Sequence, residues 1–210
     1  MKNNLLPIAK EGWGYVFASF GVFIFFWIID LEILQALSFI ALILFILIFR
    51  NPERELPHFE AKSVLSPVDG RVIAIESLEE EKYAFKITVD SSYQDVGVLR
   101  SPITALAVES KKMHGSRLAQ NSKLFHDLNE KLLVKFENDD GDILEVQHRL
   151  KQSFTSLDLD ILKFKTLVQT QRYGFMAHGV TEIFLPYNFR LDVKVFDELK
   201  ASESLVGYFS

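Results

Sequence analysis

The chain has 210 residues, of which 49% are hydrophobic and 24% charged, and its net charge is −5. This length suits one domain with an appendage, and the high apolar content excludes disorder as the main state. The sequence contains no cysteine, which excludes disulfide scaffolds, cysteine-ligated metals and thiol nucleophiles. The acidic balance argues against a nucleic-acid partner.

The chain begins with two uncharged apolar segments. Residues 13–29 and 33–49 hold 17 positions each and flank Asp30-Leu31-Glu32. Each is just long enough to cross a bilayer, so residues 1–50 are predicted to form a transmembrane helical hairpin. A signal peptide and a buried soluble hairpin are the alternatives. Bulky Trp27-Ile28-Ile29 does not suit a cleavage site, and helices apolar on every face have no place in so small a core.

The charges around these segments predict the topology. Asp30 and Glu32 are costly at the bilayer centre, so we expect them at the far interface. Basic residues lie outside both segments, at Lys2, Lys10, Arg50 and Arg54. The positive-inside rule therefore predicts two spans of the cytoplasmic (inner) membrane, with both termini in the cytoplasm.

The remaining residues divide into a polar linker with two prolines, 51–61, and a cytoplasmic domain, 62–210. Short β-type runs lie at 64–65, 71–75, 83–89, 96–99, 105–108, 132–136, 143–146, 181–185 and 191–195. Residues 138–141 predict a hairpin turn and residues 123–128 one helical turn, while 153–166 suits a strand or a short helix. This pattern predicts a mostly antiparallel β-domain with minor helix.

The five histidines show no metal-ligand spacing, and the glycines form no phosphate-binding loop. Five short segments do carry information. They are Arg50-Asn51-Pro52-Glu53-Arg54, Ser66-Pro67-Val68-Asp69-Gly70-Arg71-Val72, Ser101-Pro102, the stretch from Gln171 to Pro186, and the stretch from Ala201 to Gly207.

In this order and spacing the chain resembles the short, membrane-anchored phosphatidylserine decarboxylases. That family shows a hydrophobic hairpin followed by the motifs FFRDPER, SPxDGxV, SPxDVHVNR, QRxGMIxFGSRVDxxLP and AGExxxG. The resemblance covers nearly the whole chain. It implies a two-helix transmembrane hairpin followed by a β-rich α+β domain whose C-terminal part is lipoyl-domain-like.

The resemblance also implies a chemistry. In this family a Ser that follows a Gly attacks the preceding carbonyl, and elimination of the resulting ester leaves an N-terminal pyruvoyl group. This group forms a Schiff base with the substrate amine and accepts the electrons when CO₂ leaves. A His backed by an Asp activates the Ser.

The sequence departs from this pattern at two of these three positions. Asp69 matches the family Asp. With Ser101-Pro102 aligned to the family SPxDVH, Leu106 stands in place of the His, and we expect it to pack near Asp69 and Gly179. Val180 stands in place of the pyruvoyl Ser, and the segment is one residue short. Because valine has no leaving oxygen, no pyruvoyl cofactor is expected to form.

One substitute nucleophile exists in the sequence. Thr181 has a β-oxygen, with His178 three residues before it, but it lies one residue late and follows a β-branched valine. The plain reading is that Thr181 is a strand residue, His178 a turn residue, and Asp69 part of an Asp-Gly turn.

The sequence therefore predicts a degenerate family member, a pseudoenzyme that binds lipid or acts as a scaffold at the cytoplasmic membrane face. Membrane phospholipid is the expected partner; a second copy of the chain or another protein stays open. Two alternatives remain. One is an active decarboxylase that makes phosphatidylethanolamine in phospholipid biosynthesis. The other is a structural subunit of a membrane assembly, which predicts a large exposed apolar patch on residues 51–210.

Overall fold

The computed structural model describes residues 6–54, 62–78, 82–160 and 164–210. They belong to two compact units, unit 1 over residues 1–53 and unit 2 over residues 54–210. The predicted linker, 51–61, lies outside the described residues from position 55 onward. Its first residues divide between the units, because Arg54 already belongs to unit 2.

Unit 1 consists of a short 3₁₀ turn, Lys10–Gly12, and two helices, α1 (Trp13–Ile28) and α2 (Glu32–Ile48). Their rings contact in antiparallel order, since Tyr15 lies 5.5 Å from Phe45 and Phe23 lies 5.7 Å from Phe39. The hydroxyls of Ser19 and Ser38 donate to carbonyls of their own helices, so neither needs water.

The helices expose apolar side chains on most of their surface; Ile33 is 79% exposed and Ile28 69%. By length and composition, Lys10–Ile28 is able to cross a membrane, and a signal sequence near the N-terminus has the same properties. The second apolar helix, Glu32–Ile48, is shorter. Two membrane spans with cytoplasmic termini therefore stay a prediction.

Unit 2 is mostly β, with one short helix, α3 (Phe125–Leu128), among its described residues. Its strands are β1 (Ser63–Leu65), β2 (Gly70–Ser77), β3 (Phe85–Ser91), β4 (Val98–Arg100), β5 (Ala105–Met113), β6 (Lys131–Glu137), β7 (Ile143–Leu150), β8 (Asp158–Leu159), β9 (Thr166–Leu167), β10 (Arg172–Phe175), β11 (Gly179–Leu185), β12 (Phe189–Leu191), β13 (Glu198–Leu199) and β14 (Leu205–Phe209).

The strands form one large sheet and two small ones. The large sheet has the order β13-β2-β3-β11-β7-β6-β5-β9, and the small sheets have the orders β1-β14-β12 and β4-β10-β8. The strand pairs are antiparallel, as the alternating sequence predicts. Alternate residues such as Leu132, Val134 and Phe136 on β6 face a continuous apolar core. The predicted mostly β fold is confirmed at this level, and the lipoyl-like C-terminal part stays a prediction.

The predicted hairpin turn at residues 138–141 is confirmed, and its own side chains stabilise it. At the predicted hairpin, the Asn138 side chain accepts the Asp142 N–H at 2.8 Å, and Gly141 takes a φ of +84°. The predicted strand 191–195 is wrong. Strand β12 ends at Leu191, because the Asp197 carboxylate accepts the Lys194 N–H at 2.8 Å and closes a turn there.

Candidate functional site

Asp69, the retained motif residue, is buried and uses both of its carboxylate oxygens. Oδ1 accepts the backbone N–H of Ala201 at 2.8 Å, and Oδ2 accepts a guanidinium N–H of Arg54 at 2.7 Å. Its backbone carbonyl accepts the Ser91 hydroxyl at 2.5 Å. The carboxylate therefore joins the start of unit 2 to the Ala201 turn near its end.

Other motif residues surround this pair. A second nitrogen of Arg54 lies 3.2 Å from Glu203, and the Arg54 side chain is only 7% exposed. Burial, and then the charges of Arg54 and Arg172, lower the pKa of the Arg100 guanidinium, while Asp69 and Glu203 act in the opposite direction. We call Arg54, Asp69, Arg100, Arg172 and Glu203 the motif ion cluster.

The charges of the motif ion cluster are matched within the protein. Arg172 Nε also lies 3.5 Å from Asp160, so three guanidinium groups stand beside three carboxylates. The cluster gathers one residue from each of several motifs, Arg54 from Asn51-Pro52-Glu53-Arg54, Asp69 from the Asp-Gly turn and Glu203 from the C-terminal segment. Such a cluster holds distant chain segments together and needs no chemistry to explain it.

Gly179 and Val180, the predicted processing position, begin strand β11. This strand pairs with β3 from Gly179 opposite Ser91 to Leu185 opposite Phe85, and with β7 from Gly179 opposite Leu150, with no register shift in either ladder. Val180 is 3% exposed. A Cβ atom at position 179 would lie 2.5 Å from the Arg149 carbonyl, so the backbone passes too close for any residue but glycine.

The charged groups beside Val180 are paired with each other. Arg149, opposite Val180 on β7, donates to Glu182 at 2.8 Å, and both side chains are less than 10% exposed. Asp90, opposite Val180 on β3, forms an ion pair with Lys151. The chain thus runs through this position as an ordinary strand between two neutral ion pairs.

Leu106 does not meet the other two predicted site residues. It lies on β5, which is separated from β11 by β7 and β6. Val180 pairs with Arg149 on β7, Arg149 pairs with Lys131 on β6, and Lys131 pairs with Met113 on β5. Leu106 lies seven residues before Met113 on β5. The expectation that Leu106 packs near Asp69 and Gly179 is wrong, because strand β5 carries it toward the opposite end of the sheet.

Gly97 lies where Leu106 was expected. Its carbonyl accepts the Met176 N–H at 2.7 Å, within the segment that leads to Gly179. The family motif DVHVNR matches Asp95-Val96-Gly97-Val98-Leu99-Arg100 at four of six positions, with Gly97 in the place of the His. An alignment of the motif on Ser101-Pro102 instead places Leu106 at the position of the His. A Cβ atom at position 97 would lie 2.9 Å from the Met176 carbonyl, so the space for a side chain is closed.

A buried polar trio near the same strand was missed by the sequence analysis. The Thr181 hydroxyl lies 2.8 Å from His148 Nδ1, and His148 Nε2 lies 2.5 Å from the Tyr173 hydroxyl. All three residues have 0% exposure. Burial lowers the pKa of His148 to about 3 and raises the pKa of Tyr173. His148 is therefore neutral at physiological pH.

The trio replaces the pairing that the sequence suggested for Thr181. His178 instead places Nδ1 2.8 Å from the Gln152 carbonyl and stacks on Tyr93 at 4.7 Å. A hydroxyl beside a neutral imidazole is chemically able to act as a nucleophile. Thr181, however, lies inside a three-strand ladder, opposite Val89 and His148, which holds its backbone extended.

A cavity of about 290 Å³ lies elsewhere, at the hairpin that joins β6 and β7. Its lining includes Lys62, Thr104, Asp140, Gln169 and Phe209. Asp69, Gly97 and Val180 do not line it. This cavity is therefore not a substrate site built around the family's catalytic positions.

Comparison with known proteins gives a consistent result. Residues 41–207 match the family model described as phosphatidylserine decarboxylase. The chain is 29% identical to the phosphatidylserine decarboxylase proenzyme of Geotalea daltonii over 99% of both chains. It is 29% identical to that of Ralstonia nicotianae over 98% of both, and 26% identical to that of Paraburkholderia xenovorans over 95% of this chain and 96% of the relative.

Proposed function

The chain belongs to the phosphatidylserine decarboxylase family, and from this premise we propose that it is a pseudoenzyme, a membrane-anchored member that neither processes itself nor decarboxylates lipid. Its role is then to bind phospholipid or to hold other components at the cytoplasmic membrane face. The observation that carries this proposal is Val180, which follows Gly179 inside an unbroken strand.

Two of the three catalytic positions of the family differ in this chain. The family reaction needs a β-oxygen that can leave, and valine at position 180 has none. It needs a base, and the motif position of the His holds Gly97, where a side chain has no room. Asp69 remains, but Arg54 and Ala201 occupy its oxygens. Because such residues act together, each of these losses alone removes most of the rate.

Anchoring at the membrane is supported by unit 1. Helices α1 and α2 expose Phe, Ile and Leu side chains around their surface. Exposed apolar areas of this size are rare in proteins that are surrounded by water. Asp30 lies in the turn between the helices, and Glu32 is the first residue of α2. The proposed arrangement therefore has two spans, with this turn on the far side and unit 2 in the cytoplasm.

One observation favours the alternative, an active decarboxylase. Thr181 and His148 form a hydroxyl–imidazole pair one residue after the expected position. If Thr181 attacked the Val180 carbonyl and the ester were eliminated, the new N-terminus would carry a 2-oxobutyryl group. The ladder that holds Thr181 and its enclosure in the core argue against this reaction.

Reduction and activity measurements test the proposal. The full-length chain, purified in detergent micelles with phosphatidylserine, is treated with borohydride in the presence of a labelled amine, and CO₂ release is measured in parallel. The proenzyme of Geotalea daltonii serves as the matched positive control. We expect no incorporated label and no CO₂ from this chain. Label attached at residue 180 or 181, with CO₂ release, would overturn the pseudoenzyme proposal.

A further inference from the structure

An exposed turn between β12 and β13 presents two apolar side chains outward. The Asp197 N–H donates to the Lys194 carbonyl at 3.2 Å, and the Asp197 carboxylate accepts the Lys194 N–H at 2.8 Å. Val195 and Phe196 occupy the two corners of this turn and are 41% and 65% exposed. We call residues 194–197 the Phe196 turn.

The backbone of the Phe196 turn is strained. Phe196 has a φ of +79°, a conformation that glycine adopts freely and a bulky side chain does not. The strain is held in place, because the Phe196 N–H donates to the Val72 carbonyl at 2.8 Å and its carbonyl accepts from Arg71 Nε at 3.3 Å. Phe196 gains little burial in return. A fold that needed only a turn here would be better served by glycine.

The surroundings of the ring suit a lipid surface. The Arg71 guanidinium lies 5.0 Å from the centre of the Phe196 ring, a cation–π contact that places a basic group beside the exposed ring. Segments that bind at a lipid surface combine basic and large apolar side chains. Arg71 and Lys194 are offset by Asp197 and Glu198. The attraction therefore depends on apolar area and does not require anionic lipid.

The position of the turn also points to the bilayer. The chain enters unit 2 at Arg54, directly after the apolar helices, and Arg54 is bound to Asp69. Gly70 and Arg71 follow, and they pair with the β13 residues Leu199 and Glu198, next to the Phe196 turn. The turn thus lies near Arg54, the first residue of unit 2.

We propose that the Phe196 turn is a membrane-interface contact, in which Val195 and Phe196 insert between the lipids of the same bilayer that holds α1 and α2. This inference rests on the proposed membrane anchoring of unit 1. It adds a second attachment that fixes the orientation of unit 2 against the lipid surface. The orientation is set by the ring, because Phe196 is the larger apolar group of the turn.

The structure supplies a matched control for this proposal. Phe164 is also a phenylalanine with a positive φ, +64°, and it is 66% exposed. Its N–H donates to the Ala107 carbonyl on β5, next to the last strand of the large sheet, whereas the Phe196 turn adjoins the first. Exposure and the sign of φ are the same at the two sites, so any difference in lipid contact comes from the position and the surroundings of the ring.

Fluorescence quenching by lipid tests the proposal on the full-length chain. Because the sequence lacks cysteine, Phe196→Cys and Phe164→Cys each provide one site for a polarity-sensitive dye. The labelled chains are reconstituted into phosphatidylcholine liposomes with and without brominated acyl chains. We expect the dye at position 196 to emit at shorter wavelength and to lose fluorescence with brominated lipid, and the dye at position 164 to do neither. Addition of phosphatidylglycerol should change little.

The other outcomes are distinguishable. Equal, water-like emission at both positions in chains that float with the liposomes overturns the contact and leaves the anchor intact. Failure to float with the liposomes overturns both the anchor and the contact. Self-quenching at position 196 that grows with protein concentration, without quenching by brominated lipid, overturns the proposal in favour of a second copy of the chain.

A second variant separates insertion from misfolding. Phe196→Gly keeps the turn, since glycine adopts its φ without strain. With the dye at Val195→Cys, we expect this variant to show markedly less quenching by brominated lipid than the chain that retains Phe196. The Phe164→Gly control should leave the quenching at position 195 unchanged. Unchanged quenching in Phe196→Gly would contradict the role of the ring.

Discussion

The motif ion cluster and the Gly179–Val180 strand both contain positions of the family motifs, and they differ in whether the family residue is present. In the cluster, Arg54, Asp69 and Glu203 are retained and engaged in close ion pairs. In the strand, the residue after Gly179 is Val180, which has no hydroxyl, and the backbone pairs without a break. Under the proposed function, the charged residues that support the fold are retained, while the hydroxyl that the chemistry needs is absent. Similarity of motifs would then be evidence of fold and not of activity.

The largest expected effect comes from breaking the cluster. Asp69→Ala removes the partner of a buried guanidinium and the acceptor for the Ala201 N–H. Arg54 then keeps only Glu203 as a partner and the buried Ala201 N–H loses its acceptor, so the free energy of unfolding of unit 2 should fall by about 3 kcal/mol. Thermal loss of the β circular dichroism signal measures it. Asp69→Asn, which retains an oxygen for Ala201, should lose less. A negligible change in Asp69→Ala would show that the cluster is not structural.

The second prediction concerns the buried trio beside the strand. Burial holds the pKa of His148 at about 3 in the folded chain, against about 6.5 when unfolded. The unfolded state therefore binds the proton more tightly, and stability that is present above pH 6.5 is lost as the pH falls toward 3. We expect a loss of about 2 kcal/mol between pH 7 and pH 5 from this residue. Denaturant titration at pH 7 and pH 5 measures the free energy of unfolding. The decrease between the two pH values should be smaller in His148→Gln than in the unmodified chain by about this amount.

A smaller effect is expected at the Phe196 turn. Phe196→Gly relieves a left-handed backbone conformation, and we expect the free energy of unfolding to rise by about 1 kcal/mol. The neighbouring variant Val195→Gly, at a position without a positive φ, should not gain stability. Urea denaturation of the two variants compares them. A loss of stability in Phe196→Gly would mean that the ring supports the fold, and would weaken its assignment to the lipid surface.

The smallest effect, no change at all, is expected from an attempt to restore the site. Val180→Ser combined with Gly97→His returns the two missing family residues, but a Cβ at position 97 has no room beside the Met176 carbonyl. The segment after Gly179 is also one residue short of the family motif. We expect no cleavage of the double variant in mass spectrometry. Recovered cleavage would show that the scaffold is still arranged for the chemistry.

The sequence predicted the parts of the structure that depend on local signals. The two apolar helices follow from the uncharged runs, and the Asn138 hairpin and strands such as β6 follow from turn residues and alternating hydrophobicity. The sequence also shows directly that the residue after Gly179 has no hydroxyl. The position predicted for Leu106 is wrong because Ser101-Pro102 matches only the first two residues of the family motif, whereas Asp95-Val96-Gly97-Val98 matches three of the four positions of DVHV.

Long-range pairings lay beyond sequence reasoning. His148 is 33 residues from Thr181 and 25 residues from Tyr173 in the chain, and the register of β11 against β7 brings His148 and Thr181 together. The same holds for Asp69 and Ala201, which are 132 residues apart. The predicted strand 191–195 overlaps the Phe196 turn at Lys194 and Val195, because apolar and polar residues alternate from Leu191 to Val195. The hydrogen bond from the Lys194 N–H to the Asp197 carboxylate is not visible in that pattern.

The covalent state of the purified chain tests the central claim most directly. Intact mass spectrometry of the full-length protein should give one polypeptide of 24.1 kDa with an unbroken Gly179-Val180-Thr181 sequence. This result follows because the residue directly after Gly179 is Val180, which has no hydroxyl that could attack the preceding carbonyl and then leave in the elimination. Two fragments that meet at residue 180 or 181, with a carbonyl at the new N-terminus, would contradict the account and identify the chain as a self-processing decarboxylase.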